Sequence, residues 1–144
     1  MAGDVMDSFY VILANTSHQP EAVFVPGNSW GYYSISFELE TGTGKVIKIA
    51  KRPQAFTKNT PVTFVIPQGE QMVFPIKLND DWEANSALPT ADENPIPLTV
   101  KAIYDMRPTP ESSTQKVWIG HLESRSYYLS FRHWLPRRSA QKCP

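Results

Sequence analysis

Between Gln71 and Leu78 the chain alternates strictly, with Met72, Phe74, Ile76 and Leu78 set between Gln71, Val73, Pro75 and Lys77. Successive side chains of an extended chain point to opposite faces, so this period of two predicts a half-buried β-strand. Pro75 has no N–H to give to a ladder, which puts the strand at an edge or turns this position outward. The same period recurs at Tyr33, Ile35, Phe37 and Leu39, set against Tyr32, Ser34, Ser36 and Glu38. It returns at Val62, Phe64 and Ile66, and again at Leu98, Val100, Ala102 and Tyr104.

Less regular runs fill the intervals. Phe9 to Ala14 is apolar on both faces, as a central or covered strand would be. Glu21 to Val25 and Lys45 to Ala50 read as short strands. Val117 to Leu122 and Tyr127 to Phe131 read as a closing pair, with Glu123 to Ser126 as their hairpin loop. No window repeats apolar residues at three-four spacing long enough to predict a helix.

Turn residues mark the cuts. Ile66-Pro67-Gln68-Gly69 suits a type I turn, with Pro second and Gly fourth. Thr41-Gly42-Thr43-Gly44 supplies glycine where a tight hairpin needs positive φ. Asn15 to Pro20 and Pro26 to Ser29 are breaks of the same sort. The connections 79–97 and 106–116 are longer, and the first exceeds the roughly 12–15 residues that an unstructured connection usually spans. It is functional, partly helical or mobile.

These strands predict an all-β fold, an antiparallel immunoglobulin-like β-sandwich of about eight or nine strands. A sandwich is preferred to a closed barrel because the connections vary in length. At 144 residues the chain suits one domain over 1–144, large enough to bury a core without staples. A basic tail with Arg132, His133, Arg137, Arg138 and Lys142 closes it, from about residue 132.

Several phrases carry a resemblance. They are Asn15-Thr16-Ser17 after an apolar strand, Ser29-Trp30-Gly31-Tyr32-Tyr33, and Pro67-Gln68-Gly69-Glu70 before an alternating strand. Val100-Lys101-Ala102-Ile103-Tyr104 and Val117 to Ser124 complete the group. Over roughly residues 8–131 they resemble small bacterial immunoglobulin-like domains of uncharacterised function, often attached to secreted or envelope proteins. The resemblance implies the fold and transfers no catalytic residue. A weaker similarity, in the Asn-Thr-Ser turn and the Pro-x-Gly-Glu turn, is to intracellular proteinase inhibitors built on the same sandwich. No loop here reads as their inhibitory wedge.

Charge removes one class of partner. Lysine plus arginine number 14, as do aspartate plus glutamate, for a formal net charge of zero. Phosphate contacts supply most of a nucleic-acid binder's affinity and need a basic excess, so no nucleic-acid partner is expected. The charges are unevenly placed. Lys45, Lys48, Lys51, Arg52 and Lys58 form a basic stretch, and Asp80, Asp81, Glu83, Asp92 and Glu93 an acidic one. They read as solvated edges and loops, or as a steering field.

Cys143, the only cysteine, leaves no intramolecular disulfide and no cysteine-based zinc site. No run approaches a transmembrane helix in length, so no membrane span is expected. Asp4 and Asp7 stand where a signal peptide would be basic. A secreted or envelope origin would therefore need a leader that has been removed.

Motifs of catalysis are missing from the readable sequence. His18, His121 and His133 lack the close spacing of local metal ligands. There is no Gly-x-Ser-x-Gly elbow, and Thr41-Gly-Thr-Gly leads into a strand rather than a phosphate-binding helix. Asp80, Asp81 and Glu83, with Asn79, Asp92, Glu93 and Asn94, could offer oxygen ligands to calcium, but without the order or glycine of an EF-hand. They are weak metal candidates beside the reading as a solvated loop, and no cofactor is expected. Asn15-Thr16-Ser17 is a glycosylation sequon, yet Asn, Thr and Ser that bond their own backbone make it first a turn.

Aromatic groupings are the sharpest feature. Trp30, Tyr32, Trp118 and Trp134 are the candidate binding residues, since Trp and Tyr join apolar area to a hydrogen-bonding tip. Their competing role is core, with Trp30 or Trp118 plugging the space between sheets. The reading is a non-enzymatic binding or structural module acting by surface recognition, with a protein partner first and carbohydrate second. The alternatives are a protease inhibitor presenting a loop, and a metal-dependent or hydrolytic enzyme assembled from distant residues.

Overall fold

A computed structural model of the chain describes residues 9–57, 59–86 and 98–129. In chain order the elements are β1 (Phe9–Ala14), β2 (Glu21–Phe24), α1 (Ser29–Tyr32), β3 (Ile35–Thr41), β4 (Val46–Lys51), β5 (Thr63–Ile66), β6 (Gln71–Ile76), β7 (Trp82–Ala84), β8 (Leu98–Met106), α2 (Pro110–Thr114), β9 (Gly120–Glu123) and β10 (Tyr127–Leu129). The chain is mainly β-structure, and every pairing between these strands is antiparallel. None of the helices among the described residues is long and apolar enough to cross a membrane.

The largest sheet is built around β8, its longest strand. One edge of β8 pairs with β3, which continues to β4 and β7, while β9 and β10 share the other edge. Ile35, Phe37 and Leu39 of β3 alternate inward as their spacing predicts, and Tyr104 and Met106 of β8 join them. The β3–β4 hairpin closes at Thr41–Lys45, with Gly44 at φ 84°. Two two-stranded ribbons, β1–β6 and β2–β5, make up the other strands among the described residues. Phe74 and Ile76 of β6 and Phe24 of β2 share one apolar cluster with the inward residues of the large sheet. Leu39 and Ile47 there have no exposed surface; burying each such side chain contributes about 1.5–3 kcal/mol.

Asn15 joins the ribbons. Its Nδ2 donates to the carbonyls of Gln19 at 2.8 Å and Ile66 at 2.9 Å, and its Oδ1 accepts from the Ser17 amide and hydroxyl. The turn reading of this sequon therefore describes it, with Asn15 buried at its centre. β6 has β1 on one side and no second strand among the described residues, the edge position that Pro75 calls for.

Several expectations are corrected. β1 is not covered on both faces: Tyr10 and Ile12 are more than half exposed, and only Phe9, Val11 and Leu13 pack against the core. Phe64 of β5 is 45% exposed, so of its alternating set only Ile66 is buried. The turn after β5 closes one residue later than expected. Glu70 N donates to Pro67 O, and Gly69 stands third with φ 75°. Each of the two long connections contains an element, β7 in the first and α2 in the second, and residues 87–97 lie outside the described residues.

β9 and β10 are not a hairpin. Both run antiparallel to β8 along the same edge, Glu123 opposite Ile103 and Tyr127 opposite Val100. Four steps on one strand thus match three on the other, a β-bulge. Ser124 bridges it, its amide donating to Ala102 O and its Oγ accepting from Ala102 N, both at 2.9 Å. Val117 makes only an isolated parallel bridge to Ala22.

Candidate functional site

The aromatic segment after β2 is not the start of a strand. Asn28 lies in extended backbone (φ −118°, ψ 167°), and its Oδ1 accepts from Gly31 N at 3.0 Å, which caps one turn of helix as α1. Its Nδ2 donates to Val62 O at 3.1 Å, tying the cap to the chain before β5. Ser34 is buried, and its hydroxyl donates to Gly31 O at 2.7 Å. Strand alternation therefore begins at Ile35, two residues later than the Tyr33 start read from the sequence. Tyr33 is 46% exposed instead of facing inward. Its hydroxyl accepts from Gln54 N at 2.9 Å.

One helical turn sends its aromatic residues to two clefts. The first, of about 350 Å³, is lined by Phe24, Ser29, Trp30, Tyr33 and Ser34 together with Asp105, Met106, Arg107 and Thr109. Trp30 packs on Phe24 with ring centroids 6.0 Å apart. Asp105 N donates to Ser34 O at 2.8 Å, which fixes the end of β8 against the residues after α1. The Asp105 carboxylate lies 3.9 Å from Arg107 Nε and 3.7 Å from His121 Nδ1.

From Asp105 a ladder of polar and charged side chains crosses the outer face of the large sheet. His121 Nε2 lies 3.1 Å from Glu123, whose other carboxylate oxygen meets Lys101 Nζ at 2.9 Å; Lys101 also reaches Glu38 at 3.3 Å. Hydrogen bonds from Lys101 and then His121 hold the Glu123 carboxyl below its ordinary range. Bonds to Glu123 and then Glu38 push the Lys101 ammonium up. These groups are partly to largely exposed, so the ladder sets surface charge pattern more than stability.

The second cleft, of about 370 Å³, is lined by Tyr32, Lys51, Phe74, Pro75, Lys77, Asn79 and Trp82 among others. Lys51 Nζ stands 5.0 Å from the centre of the Tyr32 ring and 4.5 Å from that of Trp82. Such cation–π contacts contribute about 0.5–1 kcal/mol at exposed sites. Tyr32 also meets Tyr33 and Phe56 edge to face, at 4.8 and 5.5 Å. Desolvation, and then the charge of Asp81, raise the pKa of the Tyr32 hydroxyl.

Of the four aromatic candidates, Trp30 and Tyr32 thus sit on one helical turn but open onto different clefts. Trp118 lines neither; it packs on Tyr104 at 6.0 Å, at the margin of the core. Trp134 lies outside the described residues, as do Lys58, Asp92, Glu93, Asn94 and the basic tail. Asp80 and Asp81 are exposed in the turn before β7, where Asn79 Oδ1 accepts from Asp81 N at 3.0 Å. Glu83 is 3.6 Å from Arg52. Among the described residues no three His, Cys, Asp or Glu side chains converge to hold a metal ion.

Sequence reading missed Lys51, Trp82, Asp105 and Arg107. Trp82 follows two aspartates and looks like part of an acidic loop. Pairing of β7 with β4 buries it against Phe37, with centroids 5.4 Å apart. Asp105 and Arg107 flank the end of β8 and become site residues only through its register with β3. Comparison with known protein families, curated proteins and solved structures finds no match.

Proposed function

We propose that the chain is a non-enzymatic recognition module of the immunoglobulin-like sandwich kind, and that it takes a protein partner in the cleft beside Trp30. The supporting observation is the make-up of that cleft, with Trp30 and Tyr33 lining it alongside Asp105 and Arg107. An apolar ring wall with a few charged groups is the composition of a recognition site, and its volume falls in the range of about 300–1,000 Å³ usual for ligand clefts. Aromatic residues and Arg are the side chains that most often anchor protein partners. A protease-inhibitor reading would rest on a projecting 79–97 loop, of which 87–97 are outside the described residues.

Capture from a native lysate tests it with Tyr33→Ala and Arg107→Glu. Both positions are exposed. Arg107→Glu should keep the wild-type melting temperature, and Tyr33→Ala should lower it slightly through its lost contacts with Tyr32 and Gln54 while remaining folded. Each should lose most of the captured protein. Undiminished capture by the folded double variant would overturn the site. Retention on immobilised oligosaccharides with no protein captured would move the partner class to carbohydrate.

A further inference from the structure

We propose that the second cleft, on the Tyr32 side of α1, is an anion-binding site in which Lys51 and Lys77 receive a carboxylate or phosphoryl group of a ligand. The inference is independent of the Trp30 cleft.

Three features carry it. Lys51 is only partly exposed, and its ammonium is held between the Tyr32 and Trp82 rings, at 5.0 and 4.5 Å from their centres. Ring faces attract a cation but accept none of its hydrogen bonds in the way an oxygen does, so the N–H donors stay available. Lys77 lines the same cleft, and Asn79 adds an amide. Among the described residues neither lysine has a carboxylate within ion-pair distance. Glu83, on the strand paired with β4, is engaged by Arg52, the neighbour of Lys51 in sequence.

Rings also fix the lysine before any ligand arrives. A lysine side chain normally loses rotamer freedom when it pairs, and one already held between two rings loses less. Asp81 is an opposing charge that acts on Tyr32 in this cleft. Its removal should strengthen anion binding rather than weaken it.

Titration with sodium acetate and, separately, with inorganic phosphate, at constant ionic strength and followed by amide NMR shifts, tests the site. Saturable shifts confined to Lys51, Lys77, Asn79 and their neighbours are expected. Lys51→Met keeps the stem against the rings without the charge and should weaken binding about tenfold, as should Lys77→Met. Lys48→Met, on the exposed face of β4, should leave it unchanged, and Asp81→Asn should tighten it. Saturation by phosphate alone assigns a phosphoryl ligand, and saturation by acetate alone a carboxylate. Shifts that rise linearly and spread over all lysines, or binding that persists in the folded Lys51→Met and Lys77→Met proteins, would overturn the proposal.

Discussion

A β-carbon on Gly31 would overlap the carbonyl oxygen of Val25, because the backbone of α1 lies directly against the end of β2. Glycine is required here for close approach and not for a left-handed conformation. Gly31→Ala should force α1 away and cost about 1–3 kcal/mol, the usual range for overpacking. Urea denaturation checks the loss. Amide shifts around both Trp30 and Tyr32 should move together, since one turn carries both.

Tyr104 is 5% exposed, and its hydroxyl has no hydrogen-bond partner among the described residues. A buried unsatisfied polar group costs about 1–3 kcal/mol, so Tyr104→Phe should stabilise the protein, by about 1 kcal/mol or more. Burial also pushes the hydroxyl pKa up to about 12 from an ordinary 10.0. The unfolded chain then loses this proton at a lower pH than the folded one. Wild-type stability is therefore undiminished by this group below pH 10 and falls by about 1.4 kcal/mol per pH unit as pH rises from 10 towards 12, so the advantage of Tyr104→Phe grows over that range. Denaturation of wild type and variant from pH 8 to 12 measures it. Identical pH slopes would mean that this ring reaches solvent.

Phe74 is buried on β6, while Lys77 just beyond the strand is exposed. Phe74→Ala should cost about 3–5 kcal/mol, and Lys77→Ala should stay within about 0.5 kcal/mol. Comparable losses at the two positions in thermal melts would contradict the register of β6.

Asn15 uses both ends of its amide, so two substitutions separate them. Asn15→Ala empties the corner and should cost about 2 kcal/mol or more, because the Ile66 and Gln19 carbonyls lose their donor. Asn15→Asp keeps an acceptor for Ser17 but faces those carbonyls with a carboxylate. It should be at least as destabilising at pH 7 by chemical denaturation, and milder near pH 3, where the carboxyl gains a proton.

How far the sequence speaks can be judged from particular residues. Phe37, Leu39, Phe74 and Ile76 announce their inward faces by alternation, because a sheet with one buried face imposes a period of two. Tyr32 and Tyr33 fit that period as well, and only the Asn28 cap moves them out of the strand. A one-turn helix has too few residues for its own period to show. Trp30 and Tyr32 were legible as candidate residues from type and position. Their division between two clefts was not, since it depends on Lys51 and Asp105, which long-range pairing brings alongside. β9 and β10 read as a hairpin because local spacing cannot distinguish two paired strands from two halves of one strand.

The extra residue opposite Lys101 has an arithmetical consequence. Before it, odd-numbered His121 and Glu123 stand opposite Asp105 and Ile103, on the charged outer side of β8. After it, odd-numbered Tyr127 stands opposite Val100, on the inner side, and lines a cleft with Phe9 and Val11. Parity is inverted at one point, as by a phase shifter. Deleting one residue from 124–126 would remove the bulge and leave Tyr127 three steps after Glu123, still opposite Val100 on the inner side, whereas deleting two would leave two steps and turn it outward. Indels in this segment therefore act by their count, odd or even, more than by which residue is removed.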